Sequence, residues 1–182
     1  MNKFITLTLL AAFSVLTAAA APEMKTIKFS STDFYSRWSK DDQHEYTPKG
    51  QEDLSHWSEM VTSHSYRTVK TGEDLAATAN SVLENYKAAG AMIIKTDSVP
   101  RTVDKPAEYL IVALIPQKDL IEAVFARFKL VDSMGSAVIY SHRENGAKVG
   151  NEMSAWLQKN GPATEKVLMN WDQYDTTVKS VR

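Results

Sequence analysis

The chain has 182 residues, of which 21 are basic and 22 acidic, and it contains no cysteine. The balanced charge leaves no basic excess to compensate phosphates, which argues against nucleic acid as a partner. The lack of cysteine excludes disulfide bonds, thiolate metal sites and lipid attachment through a cysteine.

The first 20 residues have the pattern of a secretory signal peptide. Lys3 gives a positive start, residues 4–16 are mostly apolar, and residues 18–21 are small. We expect cleavage after Ala20 or one or two residues earlier, which leaves a net charge of −2 from 20 basic and 22 acidic residues. No later apolar run approaches the roughly 20 residues that a membrane span needs. Residues 21–182 are therefore predicted to form one soluble domain, periplasmic or secreted in a bacterium.

The first elements after the signal peptide are predicted to be β-strands. Residues 26–30 form a short apolar strand pattern, and residues 34–39 and 44–48 flank the polar turn "KDDQ". Two strand patterns joined by such a turn indicate a hairpin. Pro48 and Gly50 then end the strand pattern.

Two helices are expected next. Leu54, Trp57, Met60 and Val61 have the spacing of one helix face, which predicts a helix from residue 51 onward. A second helix begins near Thr71, a suitable N-cap for a capping box with an acid three residues later. Gly90 has the residue type that favours the left-handed conformation just past a helix end.

Four extended segments follow, and the C-terminal third of the chain is expected to be helical. The segments cover residues 91–96, 107–115, 120–132 and 136–144, and their short connections favour an antiparallel meander. In the third segment Arg127 and Lys129 alternate with apolar residues and are expected on its polar face. The segment "NGP" is expected either to split the C-terminal helix or to kink it. This order predicts an α+β fold, an antiparallel sheet with helices packed on its faces as an α/β/α-type sandwich.

The sequence contains no motif that commits it to a reaction. It lacks a phosphate-binding glycine loop and the histidine spacing of a helical zinc site, so no cofactor and no metal are predicted. The paired acids occur in turns or helix starts, and Gly135-Ser136 lies in a predicted turn instead of a nucleophile elbow. No catalytic residue is assigned.

Two groups of residues are candidate sites. Tyr35, Arg37 and Trp38 on the hairpin place aromatic rings around an arginine, a composition common in interaction hot spots. The alternative is a site assembled from His44, Glu45 and His142, if the strands that carry them adjoin.

The segment "EYTPKGQEDLSHWSEMVT" (45–62) resembles one in small exported bacterial proteins of unassigned function. There, a tyrosine–threonine–proline strand end leads into a helix that carries leucine, tryptophan and methionine. The predicted element order is also similar to the PsbP-like fold, an antiparallel sheet with helices on both faces. Neither resemblance brings a catalytic motif that aligns with this chain, and likeness of fold does not imply function.

The sequence therefore predicts an exported binding or accessory module without catalytic activity. Its partner is left open, as a protein or a small-molecule ligand of the cell envelope. The alternative is a small periplasmic hydrolase with a site around His142 and His44.

Overall fold

The computed structural model describes residues 25–173, and the predicted signal peptide lies outside that range. Eight strands and two helices follow one another along the chain. The strands are β1 (Thr26–Phe29), β2 (Thr32–Lys40), β3 (Gln43–Pro48), β4 (Glu59–Tyr66), β5 (Met92–Val99), β6 (Glu108–Pro116), β7 (Leu120–Val131) and β8 (Met134–Asn145); the helices are α1 (Gly72–Ala88) and α2 (Val149–Asn170).

The eight strands form a single antiparallel sheet in the order β1-β2-β3-β4-β8-β7-β6-β5. The predicted β2–β3 hairpin is present, with a two-residue loop between paired Lys40 and Gln43. The predicted meander of four strands is also present as β5 to β8. The loop of the last hairpin consists of Asp132 and Ser133, both with positive φ, as a type I′ hairpin turn requires.

The two helices cover opposite faces of the sheet. Along β7, Phe125 belongs to the apolar cluster beneath α2, whereas its neighbours Val124 and Ala126 belong to the cluster beneath α1. Successive residues of a strand point to opposite faces, so the two clusters lie on different sides of one sheet. The predicted α+β fold and its α/β/α arrangement are confirmed.

Helix α1 follows its local sequence closely. Thr71 is the N-cap, its hydroxyl accepts from the Asp74 N–H, and the Asp74 carboxylate accepts from the Thr71 N–H, which completes the predicted capping box. Gly90, the residue after the C-cap Ala89, has φ +81°. The start and end of this helix were thus correctly predicted from capping chemistry.

The predicted helix from residue 51 is wrong. Residues 51–58 form a connecting segment, and residues 59–66 form strand β4 in the middle of the sheet. Met60 and Val61 are buried on successive positions because a central strand is covered on both faces. Their spacing from Leu54 and Trp57 matches the period of a helix, although these residues do not lie in one.

The predicted polar face of β7 is also wrong at Arg127. This side chain is only 5% exposed and lies under the C-terminal end of α2. Its Nη1 donates to the main-chain oxygens of Leu168 and Trp171 at 2.9 and 2.7 Å. A buried cation is thereby placed at the negative end of a helix dipole.

Helix α2 runs without interruption through the "NGP" segment, so it is not split in two. Pro162 lies inside the helix. Its neighbour Gly161 is buried, and a Cβ at that position would lie 3.9 Å from Phe125 Cζ. Within the described residues, neither helix is long and apolar enough to cross a membrane.

The sheet curls over the face that carries α2. β1 is four strand positions from β8, which would separate them by about 19 Å in a flat sheet, yet the rings of Phe29 and Tyr140 stack at 4.6 Å. The indole of Trp171, at the end of α2, donates to the Lys28 oxygen at 2.7 Å, and the Lys28 N–H donates to Gln173 Oε1 at 2.8 Å. Helix α2 therefore lies in a concave face that β1 closes from one side.

Candidate functional site

Among the cavities on the surface of the described chain, three differ in the residues that line them. One, of about 490 Å³, lies between the start of α1 and residues 101–107, whose side chains are mostly exposed. A second, of about 410 Å³, lies between β5 and α2 and is crossed by the Lys95–Glu165 ion pair. The third, of about 250 Å³, lies between β1, β2 and α2 and is lined by the buried rings of Phe29, Phe34 and Tyr140 together with exposed residues, among them 30–32 and Ala163. Ligand sites are concave, largely preformed and lined mainly by apolar and aromatic side chains. The buried rings of the third cavity fit this description best.

We call this third space the aromatic cavity. Four rings line it, from Phe29, Phe34, Tyr140 and Trp156. Phe29 and Phe34 are 4% and 1% exposed and Tyr140 is 4% exposed. The alternation of β1, β2 and β8 turns these side chains to the concave face, where α2 supplies Trp156.

Glu59 brings a carboxylate to this aromatic wall. It begins β4 opposite His142 of β8, and paired residues of an antiparallel sheet point to the same face. The Tyr140 hydroxyl donates to Glu59 Oε1 at 2.6 Å. Burial, and secondarily this hydrogen bond to a carboxylate, raise the pKa of Tyr140. The phenol therefore remains a neutral donor that fixes the position of the carboxylate.

His142 supports the cavity from behind Trp156. The imidazole and the indole stack at 4.0 Å with planes only 5° apart. His142 Nε2 lies 2.9 Å from Glu144 Oε1, while the buried Nδ1 has no hydrogen-bond partner among the described residues. Trp156 is thus held rigidly, with one face against His142 and an edge against Phe125.

The arrangement is suited to binding. Rigid rings offer apolar and π surface, and Glu59 offers one negative charge with a fixed orientation. No catalytic site is evident among residues 25–173. In that part of the chain no three histidine or acidic side chains gather closely enough to hold a metal ion.

The hairpin residues predicted to bind a partner differ in accessibility. Trp38 is 38% exposed. Arg37 is the extra residue of a bulge in β2, and its side chain is only 10% exposed. Its guanidinium donates to Thr47 Oγ1 and lies 5.6 Å from the Tyr35 ring centroid. Arg37 is therefore already engaged within the fold, and the role of the three residues as an interaction surface stays a prediction.

The residues of the alternative site are not brought together. His44 pairs with Ser63 of β4, which pairs with Val138 of β8. His142 lies four residues further along β8, so it is about 16 Å from His44 by strand geometry. Glu45 is adjacent to His44 in β3 and points to the opposite face. Of these three, only His142 lies beside the aromatic cavity.

Sequence reasoning missed Glu59, Tyr140 and Trp156 as site residues. Glu59 fell within the helix predicted from residue 51 onward. A strand reading of residues 59–66 would have put Glu59 and Val61 on one face. The pairing of β4 with β8 joins residues about 80 positions apart, and no local signal specifies it.

Residues 25–173 define an α+β fold that contains the aromatic cavity and no evident catalytic centre. A protein-family model matches residues 20–171, and the chain belongs to that family, which is of unknown function. None of the curated proteins matches the chain significantly.

The solved structures similar to this one include two that match most of its length. The Ran-binding protein Mog1p of Saccharomyces cerevisiae, a PsbP-like protein, is 11% identical, with 80% of this chain and 92% of Mog1p covered and a TM-score of 0.49. A Pseudomonas aeruginosa protein of unknown function, described as a putative regulator, is 11% identical, with coverage of 84% and 99% and a TM-score of 0.49. At this identity neither likeness says anything about function.

Proposed function

We propose that this protein is an exported binding module that holds a small ligand in the aromatic cavity and performs no chemistry on it. The observation that carries the proposal is the cavity itself: buried rings of Phe29, Phe34 and Tyr140 surround about 250 Å³ beside the fixed carboxylate of Glu59. Ligand pockets combine an apolar wall with few, well-placed polar groups.

The sequence supports the exported location through the signal pattern of residues 1–20. It left open whether the partner is a protein or a small molecule. A concave cavity favours a small molecule, because a protein partner would need a contact area near 800 Å² on each side. The hairpin offers a single exposed ring, that of Trp38.

Blocking the cavity tests the proposal. Ala163 lines the cavity from α2 and has an exposed side chain, so Ala163→Phe fills the entrance without disturbing the core. Ala155 is exposed on the same helix and does not line the cavity, which makes Ala155→Phe the matched control.

A small-molecule library is screened by the rise in unfolding temperature. A ligand at 100 times its Kd stabilises the folded state by about 2.7 kcal/mol. We expect ligands that stabilise the wild type and the Ala155→Phe variant but not the Ala163→Phe variant. Ligands that stabilise all three proteins equally would show that binding occurs elsewhere and would refute the cavity as the site.

A further inference from the structure

The charge of the aromatic cavity is negative and uncompensated by its walls. Glu59 is the single charged residue among those that line it, and neither lysine nor arginine does so. Within residues 25–173, none of the ion pairs includes Glu59. Its Oε1 receives only the neutral hydroxyl of Tyr140. A ligand that enters therefore meets a negative potential in a partly dehydrated space, where charge interactions are stronger than in water.

The aromatic rings of the cavity also favour a positively charged ligand. The faces of tyrosine, phenylalanine and tryptophan rings are electron-rich and attract cations, with tryptophan the best. The stacked rings of Phe29 and Tyr140 and the indole of Trp156 line the space near Glu59. An anion would be repelled by Glu59, and a neutral apolar ligand would leave its carboxylate without a counterion.

Size and rim chemistry limit the ligand further. A volume of about 250 Å³ is below the range of about 300 to 1,000 Å³ for drug-sized ligands. The hydroxyls of Ser30, Ser31 and Thr32 and the amide of Asn160 lie around it. These groups suit a short polar tail attached to the charged group.

We infer that the aromatic cavity binds a small alkylammonium cation, with its charged nitrogen between the Glu59 carboxylate and the rings of Tyr140 and Trp156. This inference rests on the proposed function and adds the chemical class of the ligand.

A pair of probes of the same shape and different charge tests it. Choline carries a trimethylammonium group, and 3,3-dimethylbutan-1-ol has the same shape with carbon in place of the charged nitrogen. Affinities of the mature protein for both, and for tetramethylammonium, are measured by titration calorimetry. We expect both cations to bind at least tenfold more tightly than the neutral alcohol.

Two variants locate the effect. Glu59→Gln keeps an oxygen that accepts from Tyr140 and removes the charge, so the preference for choline over the alcohol should fall about tenfold. Glu152→Gln makes the same change at an exposed site on α2 outside the cavity and should leave the preference intact. A melting curve for each variant verifies that it is folded. The comparison of choline with the neutral alcohol on the wild-type protein does not depend on any variant.

The outcomes separate this inference from the proposed function. Equal affinity for choline and the alcohol, or no binding of either cation, would overturn the inference. Ligands from the library that depend on an open cavity would still support a binding module of another specificity. A preference for cations that persists in Glu59→Gln would also overturn it, because the charge would then come from another place.

Discussion

The side chain of Arg127 donates a hydrogen bond of 2.7 Å to the main-chain oxygen of Trp171, the residue that follows α2. The same guanidinium forms an ion pair with Glu108 of the neighbouring strand at 2.6 Å. One buried cation thereby joins the sheet to the end of the helix that covers the concave face.

Replacing Arg127 by Met should destabilise the protein by about 3 kcal/mol, because it removes the buried partner of Glu108 and a donor to the main-chain oxygens of Leu168 and Trp171. Urea unfolding measures the loss. The double variant Arg127→Met with Glu108→Leu should regain part of it, since both charges are then removed. A loss below about 1 kcal/mol in the single variant would contradict a structural role for this pair.

The capping box of α1 gives a second prediction. Thr71→Ala removes the hydroxyl that accepts from the Asp74 N–H and should cost about 1 kcal/mol. Thr68→Ala, at an exposed position just before the helix, should stay within about 0.5 kcal/mol of the wild type. Similar losses in the two variants would show that the cap contributes nothing specific.

Close packing at Gly135 gives a third prediction, on the stability of the fold. A Cβ at this position would lie 2.6 Å from Val69 Cγ1 and 2.7 Å from Val69 Cβ. Gly135→Ala should therefore destabilise the fold by about 1 to 3 kcal/mol, as overpacking does. Adding Val69→Gly removes both Cβ and Cγ1 of residue 69, so the two changes together should cost less than the sum of the single variants. Additive losses would argue against a direct clash.

The acid side of the pH profile is set partly by Asp53. The Ser55 N–H, and then the His56 imidazole, lower the pKa of Asp53 from 3.8 to about 2. A lowered pKa means that this carboxylate stabilises the folded state above pH 3.8 and that the contribution is lost as the pH falls toward 2. A carboxyl NMR titration should give a value near 2 in the wild type. A midpoint near 3.8 would contradict the hydrogen-bonded geometry.

The N-terminal pattern predicts a processed protein. Intact-mass measurement of the exported protein should show the loss of residues 1–20, or one or two fewer. Lys3→Glu reverses the charge of the start region and should reduce the processed fraction. A chain that retains residues 1–20 after secretion would be evidence against a cleaved signal.

The parts of the fold that were predicted correctly depend on neighbours in sequence. Helix α1 follows from Thr71 and Gly90, and the β2–β3 hairpin follows from the polar turn at Asp41 and Asp42. These signals act through local hydrogen bonds and backbone preferences, so a single sequence contains them. The meander followed from short connections, which leave antiparallel pairing as the available solution.

The errors arose where distant segments decide the outcome. Arg127 was expected on a polar face because its charge was visible and the end of α2, about 40 residues later, was not. Residues 59–66 were expected in a helix because Met60 and Val61 are both apolar, and a buried central strand produces the same pattern. The aromatic cavity combines β1, β2, β4, β8 and α2, and its assembly depends on the pairing of β4 with β8, which no local pattern encodes.

The bonds between Lys28 and the residues that follow α2 have a consequence for how the protein matures. Trp171 and Gln173 hold β1 from positions more than 140 residues downstream. Translation proceeds from the N-terminus, so the wall that Phe29 contributes lacks its anchor until nearly the whole chain has emerged. A fragment that ends before residue 171 therefore lacks both of the hydrogen bonds that hold β1 beside α2.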